Sequence, residues 1–210
     1  MKITLFGATG GTGRQVLDLA CAAGYEVTAV VRDPARLTGN GQHLTVVTAN
    51  VMDPDAIGSL IAGRHAVVTA IGPREGRTPS TVQTDSTASI VTAMRHNGTR
   101  RLIVVSNSGM FTDGDGPVSR LVAKPILRRL LRHPWADMRR MEDVVRDSEL
   151  DWTITRPPML TNGPRTGSYR TAADRNVRGG IRVSRADLAD GILRCLADPG
   201  SIHTAVSIAN

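Results

Sequence analysis

The chain opens Met1-Lys2-Ile3-Thr4-Leu5-Phe6-Gly7-Ala8-Thr9-Gly10-Gly11-Thr12-Gly13, an apolar run feeding a turn with glycines at 7, 10 and 13. The run over Lys2–Phe6 reads as a buried strand. After the turn, residues 12–23 place Val16, Leu17, Ala20 and Cys21 on one helical stripe, and Gly24 ends it. The strand–turn–helix setting gives the GxxGxxG spacing its meaning. Gly7 permits a tight turn, Gly10 lets the backbone approach a pyrophosphate, and Gly13 lets the helix pack close to the strand. The helix N-terminus then offers unpaired N–H groups and a positive dipole end to phosphates, with the Thr9 and Thr12 hydroxyls beside them.

Further strands are predicted at 26–31, 44–48, 66–71, 101–106, 151–155 and 205–208, most of them β-branched and nearly continuously apolar. Helical patterns separate them near 53–61, 84–97, 135–148 and 185–197. The last starts at Ser184 with Asp187 three residues on, close to a capping box, and carries Leu188, Ala189, Ile192, Leu193 and Leu196 on one stripe. Repeated β-α-β of this kind predicts one α/β domain over residues 1–210. It should be a doubly wound parallel sheet in three α/β/α layers, the Rossmann fold. Three loops rich in Gly and Pro, 72–83, 108–118 and 157–180, leave the carboxyl ends of strands and should wall the substrate pocket.

The second strand ends Val30-Val31-Arg32-Asp33, about twenty residues past the glycines. An acidic residue there would hold the ribose 2′-hydroxyl of NAD; an arginine suits a 2′-phosphate, so NADPH is the expected cofactor. Arg36, and Arg14 on the first helix, are placed to assist, because guanidinium matches phosphate oxygens bidentately. Asp33 follows the arginine and is expected to start the next turn.

Of the 210 residues, 40% are hydrophobic, and 26 basic residues against 19 acidic give a net charge of +7. Lys2 and Lys124 are the only lysines. The densest basic stretch, Lys124, Arg128, Arg129, Arg132, Arg139 and Arg140, reads as the solvated face of one or two helices. Aromatics make up 3%, too few for the stacking platform of single-strand binders, so no nucleic acid is expected. No run approaches the roughly 18 apolar residues of a membrane span, and the opening run is short for a signal peptide. Cys21 and Cys195 lie far apart inside helical patterns and read as small core residues of a reducing compartment. A cytoplasmic monomer without a metal site is expected.

The chain resembles the atypical short-chain dehydrogenases, in the NAD(P)H-binding group that includes the NmrA-type regulators, and within it the biliverdin reductase B or NADPH flavin reductase branch. The likeness is carried by Phe6-Gly7-Ala8-Thr9-Gly10 with Thr12-Gly13, and by Ala23-Gly24-Tyr25-Glu26-Val27-Thr28 leading to Val31-Arg32-Asp33. Pro79-Ser80-Thr81-Val82, Ile90-Val91-Thr92-Ala93-Met94, Pro157-Pro158, Thr166-Gly167-Ser168-Tyr169 and Leu193-Arg194-Cys195-Leu196 extend it along nearly the whole chain. The resemblance implies that Gly7, Thr9, Gly10, Gly11, Thr12, Gly13, Arg32 and Arg36 form the phosphate-binding part of the site. It implies that Asn50 and Val51 flank the adenine, and that Ile71, Gly72 and Arg74 lie along the cofactor. Ser106, Asn107 and Ser108, with Pro157, Pro158 and Met159, would border the nicotinamide, with Asn107 and Ser108 as the candidate catalytic residues. The chain departs from the branch in three places. Asn50 replaces the usual Asp, Asn107 a serine near the nicotinamide, and Met159 a histidine; the last two weigh against biliverdin more than against flavin.

Ketone-reducing relatives use Tyr-x-x-x-Lys, in which the tyrosine protonates the developing alkoxide. The tyrosines here, Tyr25 and Tyr169, are followed four residues later by Ala29 and Ala173. A planar conjugated acceptor (flavin, quinone or tetrapyrrole) delocalises the arriving charge and needs mainly to be stacked over the nicotinamide. The sequence therefore points to an NADPH-dependent reductase of such an acceptor, or to a non-catalytic NADP(H) sensor of the NmrA type.

Overall fold

A computed structural model describes residues 1–37, 43–72, 78–116, 120–121 and 124–210. The elements follow one another as β1 (Lys2–Phe6), α1 (Gly11–Ala22), β2 (Glu26–Val31), β3 (Leu44–Thr48), α2 (Pro54–Ile61), β4 (Ala66–Thr69), α3 (Val82–His96) and β5 (Arg101–Val105). Then come α4 (Lys124–Leu130), α5 (Arg132–Arg146), β6 (Asp151–Arg156), β7 (Met159–Thr161), β8 (Arg170–Ala173), β9 (Arg182–Ser184), α6 (Arg185–Ala197) and β10 (Thr204–Ala209). Eight strands form one sheet in the order β3-β2-β1-β4-β5-β6-β10-β8, parallel except for β8, which runs antiparallel to β10. β7 and β9 pair as a separate two-stranded sheet.

Side-chain alternation along the strands explains the three layers. On β1, Ile3 and Leu5 join one fully buried cluster with Val16 and Leu17 of α1 and Leu188 and Ile192 of α6. Phe6 points the other way, into a cluster with Ile57 and Ile61 of α2, Ile90 and Met94 of α3, and Met141 and Val145 of α5. Each such side chain contributes about 1.5–3 kcal/mol on leaving water, so neither face of the sheet can be bared cheaply. The predicted parallel sheet is therefore present, with two amendments. Its last edge is the antiparallel β8, and the predicted loop 157–180 contains both β7 and β8.

Strand order reverses at β1, whose neighbours are β2 and β4. Connections from β1 and β4 leave the sheet in opposite directions, which opens a crevice beyond their carboxyl ends. Gly7 follows β1 there with φ of +82°, and a Cβ on it would stand 2.7 Å from the Ala70 carbonyl carbon after β4. No helix among the described residues is long and apolar enough to cross a membrane.

Candidate functional site

A cleft of about 870 Å³ occupies this crevice. Its floor is the glycine turn. The Gly10 N–H donates to the Gly7 carbonyl at 2.9 Å, and α1 begins one residue later. A Cβ on Gly13 would lie 2.1 Å from the Gly7 oxygen, so that glycine is required by the packing of helix on turn. Gly10 caps α1 without a side-chain hydrogen bond, and the first turn holds no acidic residue. The helix thus brings bare N–H donors and its positive end to the cleft floor, where Thr9, Gly11 and Thr12 also line it.

One flank is the end of β2. Arg32 and Arg36 both line the cleft, the latter from a short 3-10 turn over Pro34–Arg36. Asp33 caps that turn, accepting from the Ala35 N–H at 3.1 Å, which matches its expected role. Arg14 is not at the cleft; its Nε pairs with Asp18 at 3.1 Å along α1. Asn50 and Val51 line the same flank with Met52, and Asn50 Oδ1 accepts from the Met52 N–H at 3.1 Å.

The far end is built by β4, β5, α3 and α5. Of the residues expected along the cofactor, Ile71, Gly72, Ser106, Asn107 and Pro157 line this end of the cleft. Arg74 lies outside the described residues. Besides Gly13, which packs on the turn, three predicted residues do not line the cleft. Ser108 is buried in a 3-10 turn whose N–H is tied to the Pro157 carbonyl at 2.9 Å. Pro158 and Met159 turn away as β7 begins, and Met159 is 62% exposed. The reason is local: one step past Asn107 or Pro157 carries the next side chain away from the cleft, and on β7 it is Leu160 that faces the cleft, so its neighbour Met159 points to the opposite side.

Residues that the sequence reading passed over take their place: Ser80 and Gln83 before and within α3, Met138 of α5, Leu160 of β7 and Arg185 of α6. Gln83 is 2% exposed, its Nε2 donates to the Ile71 carbonyl at 3.3 Å, and its Oε1 is buried without a partner among the described residues. A buried acceptor left open in this way calls for a donor from elsewhere. Gln83 is fixed because Asp137, reaching across from α5, accepts from the Gln83 and Thr84 N–H groups at 3.1 and 3.2 Å.

Behind Ser106 lies a buried charge network. The Ser106 hydroxyl donates to Glu142 Oε1 at 2.6 Å, and the same carboxylate takes both Nε and Nη2 of Arg156, whose guanidinium lies 3.6 Å from the centre of the Phe111 ring. Ser106 therefore shows its oxygen lone pairs, not its proton, to the cleft. Asn107 uses Oδ1 to accept from the Gly109 N–H at 2.7 Å, which leaves its amide nitrogen as the donor end.

The basic stretch is only partly the solvated face expected. Arg128, Arg129 and Arg132 are exposed. Lys124, however, pairs with Asp115 at 2.5 Å and donates to the Phe111 carbonyl, and Arg139 donates to the Met110 carbonyl at 2.6 Å. These cations pin residues 108–115. Neither tyrosine reaches the cleft: Tyr25 packs against the α1/α6 core, and the Tyr169 hydroxyl donates to Asp190 at 2.6 Å. Burial, reinforced by Asp190, pushes the Tyr169 phenol up, away from the range of a proton donor. Burial likewise pushes the Cys195 thiol up to about 11, consistent with an inert core residue. No three His, Cys, Asp or Glu residues among those described are grouped to hold a metal.

A bare helix N-terminus at a glycine turn, two arginines at the β2 end and an open buried acceptor at the far end fit a dinucleotide lying along the cleft. A sequence model described as NAD(P)H-binding matches residues 7–199. The chain belongs to that NAD(P)H-binding family. The protein YwnB of Bacillus subtilis is 27% identical over 205 residues, covering 95% of this chain and 93% of its own length. Reductase PytE of Aspergillus terreus is 27% identical over 245 aligned residues, covering 94% and 92%. Among solved structures, a short-chain dehydrogenase/reductase of Veillonella parvula in complex with NADP superposes with a TM-score of 0.84 at 21% identity, over 100% of this chain and 94% of that one. This last likeness is one of fold.

Proposed function

We propose that this protein is an NADPH-dependent oxidoreductase that passes a hydride to a planar conjugated acceptor, with flavin the leading example. The observation that carries the reading is the composition of the reacting end. The described lining offers a thioether there, Met138, and neither a tyrosine nor a lysine, and the nearest carboxylate, Glu142, is buried behind it and spent on Ser106 and Arg156. Ser106 has committed its proton and Asn107 its carbonyl oxygen, so neither is a placed acid. A ketone would be left as a localised alkoxide there; a conjugated acceptor spreads the charge and takes its proton from water.

On this reading the N–H groups of Gly11 and Thr12 and the Thr12 hydroxyl hold the diphosphate, Gly10 lets the backbone approach it, and Arg32 and Arg36 hold a 2′-phosphate. Asn50 and Val51 border the adenine. Ile71, Gly72, Ser106 and Pro157 border the nicotinamide, which when bound supplies the hydride. Ser106 and Gln83 Oε1 are both acceptors and suit the amide hydrogens of its carboxamide. Met138, Asn107 and Leu160 are left to position the acceptor. The relative PytE, by name a reductase, is consistent with this chemistry.

The test is to follow NADPH absorbance with FMN, FAD, riboflavin, a quinone and biliverdin in turn. Oxidation should occur with at least one of them. Met138→Trp fills the acceptor side and should cut turnover by ~100-fold, the scale on which misplacement of reactants acts, while NADPH still binds. Tight NADPH binding with no turnover across the panel would overturn the reductase in favour of the sensor.

A further inference from the structure

Arg185 is the first residue of α6, far along the chain from the glycine turn, yet it lines the same cleft. A Cβ built on Gly11 would stand 2.7 Å from Arg185 Nε and 2.8 Å from its Cδ. The side chain therefore lies directly on Gly11, and the lack of a side chain there is what makes room for it. Its tip is also placed: Nη1 donates to Asn162 Oδ1 at 2.5 Å, just beyond β7. Its base is rigid, because the Ser184 hydroxyl caps α6 by accepting from the Asp187 N–H at 2.9 Å and donates to the Pro164 carbonyl at 3.0 Å.

The electrostatics of this arrangement are one-sided. Among the described residues no carboxylate pairs with Arg185. It faces the first turn of α1, which holds no acidic residue and ends in bare N–H donors. A guanidinium set against the positive end of a helix is a repulsive pair unless an anion lies between them. Arg32 and Arg36 stand at the β2 end of the cleft, so an anion held at Arg185 would be a different one from theirs.

We propose that Arg185 is a clamp on the diphosphate of the bound dinucleotide, contributed by the C-terminal part of the chain and closing against α1 over Gly11. The proposal rests on the cofactor reading above. It makes a prediction that the β2 arginines do not share, because the diphosphate is common to NADH and NADPH. Loss of Arg185 must weaken both nucleotides alike, whereas loss of a 2′-phosphate ligand weakens NADPH alone.

NADPH and NADH are titrated separately into the unmutated protein, Arg185→Gln and Arg185→Lys, using nucleotide fluorescence, with thermal melting recorded for each variant. The Gln variant should lose about tenfold in affinity for both nucleotides, with their ratio unchanged, and the Lys variant should recover part of it. Asn162→Ala, which frees the tip without removing the charge, should weaken both by about two- to threefold and carries the test if Arg185→Gln does not fold. Unchanged affinity for both nucleotides overturns the clamp. A loss confined to NADPH also overturns it, by moving Arg185 to the 2′-phosphate. Failure of the unmutated protein to bind either nucleotide would instead remove the cofactor reading beneath it.

Discussion

Arg32 and Arg36 reach the cleft from different backbones, one from the end of a strand and one from the 3-10 turn that Asp33 caps. Because Asp33 spends its carboxylate on the Ala35 N–H, the β2 end presents two guanidinium groups to the cleft with that acid turned to the backbone. NADPH is therefore expected to bind at least ~10-fold tighter than NADH, and Arg32→Ala should erase most of the difference without lowering the melting temperature. Equal affinities in the unmutated protein, measured by fluorescence titration, would dispose of the arginine reading. Residues of this kind were legible because their position follows from the glycine spacing and one β-α-β unit. Ser108 and Met159 were not. Each sits one or two residues past a true lining residue, where a turn or a new strand rotates the side chain away, and sequence neighbours carry no record of that rotation. Gln83, Met138 and Arg185 escaped for another reason: each faces the cleft from a helix whose tilt is set by packing across the whole sheet.

Helix α5 shows how much a single element can hold in place. From it Asp137 caps α3, Met138 faces the cleft, and Glu142 binds Ser106 beyond β5 and Arg156 on β6. Removing the Glu142 carboxylate would strand a buried guanidinium, so Glu142→Ala should cost ~3–5 kcal/mol in urea unfolding. Glu142→Gln, which keeps an acceptor for both partners, should cost less. A loss in the Ala variant no larger than that of an exposed substitution would show that the network is not part of the stability. The long elements with continuous apolar runs were readable in the sequence to within two or three residues at each end. The short ones were not. β7, β8 and β9 are three or four residues each, and Arg170-Thr171-Ala172-Ala173 has no apolar alternation at all. They are strands because a partner offers them hydrogen bonds, which is a property of the fold and not of the segment.

At the scale of the whole molecule, segment 165–169 is fastened to α6 by two carboxylates. Burial alone would raise the Asp187 carboxyl, but the N–H groups of Gly167 and Thr166 and the Thr166 hydroxyl outweigh it and hold it below the ordinary range. Burial opposes ionisation of Asp190 as well, and the Tyr169 hydroxyl with Arg165 and Arg194 prevails there. A carboxyl whose folded value is depressed stabilises fully above its unfolded value and loses that contribution as the pH falls toward the folded one. Stability should therefore be level above about pH 5 and drain away below about pH 4. The double variant Asp187→Asn, Asp190→Asn should flatten that acid limb in pH-resolved melting; an unchanged limb would assign acid sensitivity elsewhere. The position of β10 has a consequence of another kind. It lies between β6 and β8, although both precede it along the chain. β8 consequently has no ladder to join until residues 204–209 arrive, and β6 stays an open edge until then. Closure of the sheet at this side is therefore non-local: one late segment completes the ladder of β6 and supplies that of β8, across the connection through α6.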